Sequence, residues 1–263
     1  MKAEINGVNL NYQIEGPDGA PWLVFSNSLA TDLGMWNAEA AHYARRFRVL
    51  RYDTRGHGGS AATPSPYSLD LLVADAAGLL DKLGIKRTIF VGLSLGGMTA
   101  MGLALKDPSR LRAIAVCAAR ADVPDGFAKM WDERIGLART KGMAALVDST
   151  LSRWFTPELL AEKPTFLGNV EAMIRRTSVE GYVGCANALL GLDYLRHLGR
   201  IELPALFVAG ANDIAAPSAI MRAMSEGVAG ARFVELSPSG HLVNLQQSAK
   251  FRETLDAFLG TLM

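Results

Sequence analysis

A serine between two glycines is the clearest chemical signal in this sequence. Residues 92–96 read Gly-Leu-Ser-Leu-Gly, with Ser94 at the centre. The apolar run 88–91 precedes this motif, and a segment rich in Ala, Met and Leu follows it. This order predicts a sharp strand-to-helix turn that exposes the serine hydroxyl, since only small residues fit two positions either side of such a turn. We therefore predict that Ser94 is a nucleophile. A phosphate-binding turn is the alternative, but the motif lacks the lysine of a P-loop and the spacing G-x-G-x-x-G.

A serine hydroxyl needs a base to take its proton. His241 lies in a Ser-Gly-His loop near the chain end, directly after the apolar run 233–236, and is the predicted base. The other histidines are expected to do different work. We expect His42 on a helix surface, His197 in a solvent-exposed position and His57 in a loop where it closes a turn.

The third group should be an acid that follows a strand between the serine and the histidine. Asp213 comes shortly after the apolar run 205–210, and Asp122 follows the strand that contains Cys117. We prefer Asp213, because its strand is the last one before the histidine strand and the two loops should be neighbours. The alternative for Asp213 is a helix N-cap before Pro217.

An oxyanion hole needs two backbone N–H donors near the serine. One should come from Leu95, the residue after Ser94, where the helix N-terminus adds partial positive charge. The other should come from the loop after the run 22–25, which reads Ser-Asn-Ser-Leu-Ala over residues 26–30. Leu29 is the predicted donor by its position, and Ser28 remains an alternative.

The elements that must position these groups alternate between strand and helix. Asn6-Gly7 is a hairpin turn signal, and apolar residues alternate with polar ones from Leu10 to Glu15. Continuous apolar runs follow, as expected for parallel strands buried on both faces, at 22–25, 48–52, 88–91, 114–117 and 205–208. Helical spacing separates them, as in the stretch that starts after Ser68 and stops at Gly84. The pattern predicts an α/β fold with a mostly parallel, doubly wound sheet.

One stretch, residues 122–199, departs from this alternation. It contains no clear strand and several helical patterns interrupted by glycine and proline. Thr177 and Glu180 have the spacing of a capping box for one of its helices. We predict that 122–199 is a helical cap inserted into a core domain formed by 1–121 and 200–263.

Composition narrows the range of functions. Apolar residues make up 49% of the 263 residues and the formal net charge is +1, which favours a well-packed enzyme core over a nucleic-acid-binding surface. The two cysteines are far apart and lack metal-ligand spacing, and no H-E-x-x-H motif is present, so we expect neither a metal nor another cofactor. Residues 1–10 lack an apolar signal core, and no apolar run approaches ~18 residues, so we expect a cytoplasmic protein without membrane contact. The sequence predicts no particular oligomeric state.

These features together resemble the α/β-hydrolase superfamily along the whole chain, including the order serine, acid, histidine. The loop 53–60 resembles the D-x-R-G-x-G-x-S turn of its esterases, lactonases and cofactor-free peroxidase-like members. The run 25–36 is similar to the 3-oxoadipate enol-lactonases, in which Asn27-Ser28 stands where most relatives have His-Gly; the segments 153–157 and 181–187 also look like that family. The resemblance implies opening of an enol-lactone ring by Ser94, Asp213 and His241, in the β-ketoadipate route of aromatic breakdown.

A substrate of that kind is a small anionic lactone, so the pocket should offer a cation or several hydrogen-bond donors. The core loops around Ser94 offer none, so we expect the cap to supply them. Arg153 is the first choice, with Trp154 as an apolar wall, and Arg134 and Arg139 are rivals. A general carboxylesterase or perhydrolase is an alternative function, and a small-molecule receptor without turnover is a third.

Overall fold

An eight-stranded sheet forms the centre of the computed structural model, which describes residues 1–262. The strands are β1 (Lys2–Ile5), β2 (Val8–Glu15), β3 (Trp22–Ser26), β4 (Arg48–Tyr52), β5 (Thr88–Leu93), β6 (Leu111–Cys117), β7 (Ala205–Gly210) and β8 (Arg232–Leu236). They lie in the order β1-β2-β4-β3-β5-β6-β7-β8. The pairs β1–β2 and β2–β4 are antiparallel, and every later pair is parallel. The predicted fold class is therefore confirmed.

Helices connect and cover these strands. They are α1 (Asn37–Tyr43), α2 (Leu69–Lys82), α3 (Leu95–Lys106), α4 (Phe127–Lys141), α5 (Val147–Trp154), α6 (Pro157–Glu162), α7 (Phe166–Arg176), α8 (Val179–Leu190), α9 (Ser218–Glu226), α10 (Val243–Gln246) and α11 (Ser248–Leu259). Short 3₁₀ helices occur at Leu33–Trp36, Pro108–Arg110, Met143–Leu146 and Leu195–Arg200. Helix α3 packs against β5 and β6, and α9 packs against β7 and β8. No helix within the described residues has the length and apolar character needed to cross a membrane.

Local sequence signals account for several boundaries. Asn6 and Gly7 both have positive φ angles, 48° and 73°, as a two-residue type I′ hairpin turn requires. Ser68 caps α2, since its side chain accepts a hydrogen bond from the backbone N–H of Leu71. Every residue of β5 and of β7 is buried, in agreement with the continuous apolar runs that predicted central parallel strands.

Five helices, α4 to α8, lie between β6 and β7 in the chain. An isolated antiparallel bridge between Asp122 and Asp193 joins the two ends of this stretch. The capping box predicted at Thr177 and Glu180 was wrong. Ser178 is the N-cap of α8, because Thr177 belongs to the end of α7, where its hydroxyl donates to the carbonyl of Met173.

The core also contains one carboxyl group that sequence patterns did not predict. Glu39 on α1 is fully buried, and neither of its carboxylate oxygens has a hydrogen-bond partner within residues 1–262. Burial raises the pKa of Glu39 from its ordinary 4.5 to about 7. The backbone N–H of Glu39 and the amide of Asn244, which lie nearby without a well-formed hydrogen bond, and then the charges of Arg252 and Arg51, offset only part of this effect. The shift moves the ionisation of Glu39 toward neutral pH.

Candidate active site

Ser94 sits at a tight turn between β5 and α3. Its φ and ψ are 55° and −112°, a strained combination for a residue with a side chain. A Cβ atom added at Gly92 would lie 2.0 Å from the carbonyl oxygen of Gly96, and one added at Gly96 would lie 2.2 Å from that of Ser26. Only glycine fits at both positions, for the steric reason that the sequence motif implied. Ser94 is partly exposed although its neighbours are buried, so its hydroxyl is accessible.

His241 and Asp213 form a buried pair. The Nδ1 atom of His241 lies 2.8 Å from Oδ2 of Asp213. The second carboxylate oxygen accepts hydrogen bonds from the N–H groups of Ala215 and Ala216, at 2.7 and 3.1 Å. Burial alone would raise the pKa of Asp213, but the charge and hydrogen bond of His241, together with these two N–H groups, outweigh it and hold the pKa below its usual value. A carboxylate at Nδ1 leaves Nε2 of His241 free to take a proton.

The two candidate acids differ in their contacts. Asp122 accepts a hydrogen bond from Arg120 at 2.9 Å, and it is not among the residues that line the cavity next to Ser94. Asp213 does not cap α9, because that helix begins at Ser218 with Pro217 as its N-cap residue. Its hydrogen bonds to Ala215 and Ala216 instead fix the turn that aims the carboxylate at His241.

The loop that carries His241 is held by Trp154. The backbone N–H of His241 donates to the carbonyl oxygen of Trp154 at 2.7 Å, and the two rings stack with centroids 6.2 Å apart. A Cβ atom at Gly240 would approach the same carbonyl to 2.3 Å, so only glycine allows this contact. Trp154 therefore positions His241, a role that its place in the sequence did not indicate.

The remaining histidines lie elsewhere. His42 contacts Asp256 at 3.1 Å and is partly exposed, and His197 is half-buried. His57 is buried, its Nδ1 atom lies 3.0 Å from the carbonyl of Arg55, and burial lowers its pKa to about 4. Among the four histidines, all within the described residues, His241 alone lines the cavity beside Ser94.

Two backbone donors near Ser94 are unoccupied. The N–H groups of Leu95 and Leu29 make no hydrogen bond within residues 1–262. The N–H of Ser28, in contrast, contacts the sulfur of Met35 at 3.4 Å. A turn with positive φ at Ala30 and a 2.8 Å hydrogen bond from the Thr31 hydroxyl to the Ser28 carbonyl hold this loop in place. The free donor favours Leu29 over Ser28 as the residue facing an oxyanion.

A cavity with about 580 Å³ of unfilled space, its mouth included, adjoins these groups. It is lined by Ser28, Leu29, Ala30, Ser94, Met98, Ala118, Arg120, Phe127, Trp131, Arg134, Thr150, Arg153, Trp154, Tyr182, Leu189, Ala215, Ala216 and His241. The lining is mainly apolar and contains a few polar groups, as is usual for small-molecule sites. Both residues proposed from the sequence, Arg153 and Trp154, belong to it.

Three arginines line this cavity, and they differ in their partners. Arg120 is paired with Asp122, and Arg134 donates to Tyr182, Ser149 and Thr150. Arg153 makes no side-chain hydrogen bond or ion pair in the described part of the chain, and Arg139 is exposed and lies outside the cavity. The expectation that the core loops contribute no cation was wrong, since Arg120 lines the cavity from the loop three residues after the end of β6.

The electrostatics around Arg153 suit an anion. Burial lowers the pKa of Arg153, as does the neighbouring positive charge of Arg134, while Asp213 and Tyr182 act in the opposite direction. A guanidinium remains charged in spite of such shifts. Arg153 is thus a half-buried cation that the positive charge of Arg134 repels. A ligand carboxylate would offset both the cost of burial and this repulsion.

Two residues that line the cavity each contain a buried polar atom without a partner among the described residues. These are the hydroxyl of Ser28 and the indole N–H of Trp131. Neither had a sequence signal, because an unsatisfied hydrogen bond becomes apparent only when all neighbouring groups are known. Within residues 1–262, no group of three or more His, Cys, Asp or Glu side chains has an arrangement that could hold a metal ion.

Comparison with known proteins gives consistent similarities. Residues 21–248 match a family model described as alpha/beta hydrolase fold. The chain is 34% identical to 3-oxoadipate enol-lactonase 2 of Acinetobacter baylyi, over 96% of this chain and 93% of that protein. It is 27% identical to a putative carbamate hydrolase RutD of Stutzerimonas stutzeri, over 94% of this chain and 95% of that protein. The crystal structure of an enol-lactonase from Burkholderia xenovorans superimposes with a TM-score of 0.95 and 40% identity, covering 99% of this chain and 100% of that one.

Proposed function

The chain belongs to the α/β-hydrolase family and to its carboxylic-ester hydrolases, and we propose that it opens the lactone ring of 3-oxoadipate enol-lactone. The observation that carries this proposal is one cavity in which an accessible serine, an Asp-paired histidine and an unpaired arginine meet. The likeness to proteins named 3-oxoadipate enol-lactonase supports the same reaction. The reaction would belong to the β-ketoadipate route, and the protein would act in the cytoplasm.

The proposed chemistry is acyl transfer through Ser94. Nε2 of His241 takes the hydroxyl proton while Ser94 Oγ attacks the lactone carbonyl, and Asp213 stabilises the imidazolium that forms. The N–H groups of Leu29 and Leu95 hold the negative oxygen, each supplying roughly 3–4 kcal/mol in comparable sites. The bond between the carbonyl carbon and the ring oxygen then breaks, and the His241 imidazolium gives its proton to that oxygen. The enol formed in this way remains part of the acyl group on Ser94 and tautomerises to a ketone. Water activated by His241 releases the acid from Ser94. This scheme needs no cofactor.

Recognition of the substrate carboxylate is assigned to Arg153. It is the one cavity arginine whose guanidinium has no partner within residues 1–262. The guanidinium of Arg134 donates to three hydroxyl groups, which do not neutralise its charge. Arg134 therefore adds to the positive potential of the cavity. A neutral ester would gain little from either charge, which is why this pair favours an acid-bearing lactone over a general carboxylesterase substrate.

We further propose that residues 122–199 act as a cap on a core formed by 1–121 and 200–263. The cavity has walls from both parts: Ser94, Leu29 and His241 come from the core, and Arg153 and Trp154 from the insertion. The contacts of Trp154 with His241 join the two parts at the proposed site of reaction. The cap would therefore set substrate choice while the core performs the chemistry.

The test compares substrates and a nucleophile variant in one experiment. Wild-type protein should open the enol-lactone, followed by loss of its absorbance, with a higher kcat/KM than it has on neutral p-nitrophenyl esters. Ser94→Ala should fold normally and lose activity on both substrates by roughly 10⁴-fold or more. A serine-directed phosphonate should label the wild type at Ser94 alone.

The outcomes separate the competing functions. Good turnover of neutral esters without lactone opening would favour a general carboxylesterase or perhydrolase. Turnover of neither substrate, with tight binding of the lactone, would favour a receptor. Labelling of another residue would refute Ser94 as the nucleophile.

A further inference from the structure

The hydroxyl of Ser28 is a buried polar group that the scheme above does not use. Ser28 is 1% exposed, its Oγ atom has no hydrogen-bond partner within residues 1–262, and the residue lines the cavity. Its backbone is fully engaged: the N–H contacts the sulfur of Met35, and the carbonyl accepts from both the hydroxyl and the N–H of Thr31. The residue is therefore held in place while its hydroxyl remains unsatisfied.

Covalent geometry puts this hydroxyl beside the proposed oxyanion site. The Oγ atom of a serine lies roughly 3–4 Å from the backbone nitrogen of the next residue. That next residue is Leu29, whose N–H is free. An oxygen atom bound by the Leu29 N–H comes within reach of the Ser28 hydroxyl in the side-chain rotamers that turn Oγ toward that N–H.

A buried hydroxyl without a hydrogen-bond partner destabilises the folded protein, and such groups are therefore rare unless a ligand supplies the partner. For Ser28 the partner would be the carbonyl oxygen of a bound ester, since that is the atom that the Leu29 N–H would hold. The contact strengthens as the oxygen gains negative charge in the transition state, since hydrogen bonds to ionised acceptors are the stronger kind.

We propose that the Ser28 hydroxyl is a third donor of the oxyanion hole, in addition to the N–H groups of Leu29 and Leu95. It makes the hole a mixed site of two backbone donors and one side-chain donor. Its role rests on the proposed Ser94 chemistry, but it does not depend on which ester or lactone is the natural substrate.

The experiment measures kcat and KM separately on p-nitrophenyl acetate for wild type, Ser28→Ala and Ser28→Cys. Ser28→Ala should lower kcat by about 10²-fold with little change in KM, as for other oxyanion donors. Ser28→Cys, whose thiol is a weak donor, should fall between alanine and wild type. The inhibition constant of phenylboronic acid, which forms a tetrahedral adduct with an active serine, should weaken by a factor similar to the loss in kcat.

A buried serine far from the cavity provides the matched control. Ser225 is 6% exposed, and its hydroxyl donates to the carbonyl of Arg222 on the same helix. Ser225→Ala should lower Tm and leave kcat within about twofold of wild type, because it removes a satisfied structural hydrogen bond. Ser28→Ala should show the reverse: a Tm equal to or above that of wild type, with lower kcat.

The result that overturns the inference is a Ser28→Ala protein with wild-type kcat and wild-type boronate affinity. A loss of kcat accompanied by a fall in Tm of several degrees, with Ser28→Cys equally impaired, would also overturn it, because it would show a structural role. These outcomes differ from failure of the proposed function. An active Ser94→Ala variant would refute the nucleophile, and absence of lactone opening with intact esterase activity would refute only the substrate.

Discussion

Removal of Arg153 tests whether the cavity reads a carboxylate. In Arg153→Ala the half-buried guanidinium disappears, and no protein group within residues 1–262 loses a hydrogen bond or an ion pair with it. The change should therefore affect ligand binding far more than folding. It also removes the charge that faces Arg134, so the free protein should be no less stable than wild type.

The size of the effect follows from the contact that is lost. A hydrogen bond to a charged group is worth roughly 1.5–3 kcal/mol, which corresponds to a factor of roughly 10–150 in kcat/KM. Two features of the site place the expected loss on the anionic lactone within about 10–100-fold. Arg153 is partly open to solvent, which screens its charge, and Arg134 lies close enough to replace part of the positive potential.

The assay compares the enol-lactone with a neutral p-nitrophenyl ester in the same protein preparations. Arg153→Ala should lose activity on the lactone and leave the neutral ester nearly unchanged, and Arg153→Lys should retain part of the lactone activity because it keeps the charge. Arg139→Ala is the matched control, since Arg139 belongs to the same stretch of helices between β6 and β7 but is exposed and lies outside the cavity. Raising the salt concentration should weaken lactone turnover in wild type more than in Arg153→Ala.

Equal losses on both substrates would refute this reasoning, because they would show that Arg153 supports the cavity wall or the Trp154 helix and does not contact a carboxylate. An unchanged kcat/KM on the lactone would do so as well, and Arg134 would then be the next candidate.

Two further predictions concern buried carboxyl groups. Asp213→Asn should leave the fold intact and lower kcat on p-nitrophenyl acetate by roughly 10⁴-fold, because an amide at His241 Nδ1 favours the wrong tautomer. Asp122→Asn should lower kcat only slightly. The reverse ranking of the two variants would make Asp122 the acid. Glu39 binds its proton more tightly in the folded chain, with a pKa of about 7 against 4.5, so the free energy of unfolding should fall as pH rises from about 4.5 to 7 and should level off above that. Urea unfolding of wild type should therefore give a lower free energy of unfolding at pH 8 than at pH 5, with about 3 kcal/mol at most coming from this group. The difference should be much smaller for Glu39→Gln. Equal differences in the two proteins would mean that Glu39 is not the titrating group.

Local sequence signals were sufficient for the fold and for the turn at Ser94. The glycine at 92 is needed because a Cβ atom there would lie 2.0 Å from the carbonyl oxygen of Gly96, a steric limit that acts within the turn itself. The same is true of the hairpin at Asn6-Gly7 and of the cap at Ser68. The glycine at 96 also fits the motif, and the structure shows that a Cβ atom there would lie 2.2 Å from the carbonyl oxygen of Ser26 on β3. Asp213 required one more step, the inference that successive strands β7 and β8 are neighbours in the sheet.

Other features depend on contacts between distant parts of the chain. The stacking of Trp154 on His241 joins residues 87 positions apart (241 minus 154), and it exists only because α5 ends over the loop after β8. The packing of the helices between β6 and β7 decides that Arg120 and Arg134 have partners and that Arg153 has none. An arginine in a sequence does not reveal this packing.

Features that the sequence predicts and features that only the tertiary structure shows differ in the range of the interactions that produce them. Steric limits on a turn, a cap or a buried strand act between near neighbours, so residue types and spacing determine them. Hydrogen-bond satisfaction and burial are sums over every atom that surrounds a group, and most of those atoms come from remote segments. The sequence alone therefore determined the turn at Ser94 and the strand-helix framework, whereas the tertiary structure decided which cation, which hydroxyl and which carboxyl group were left without partners.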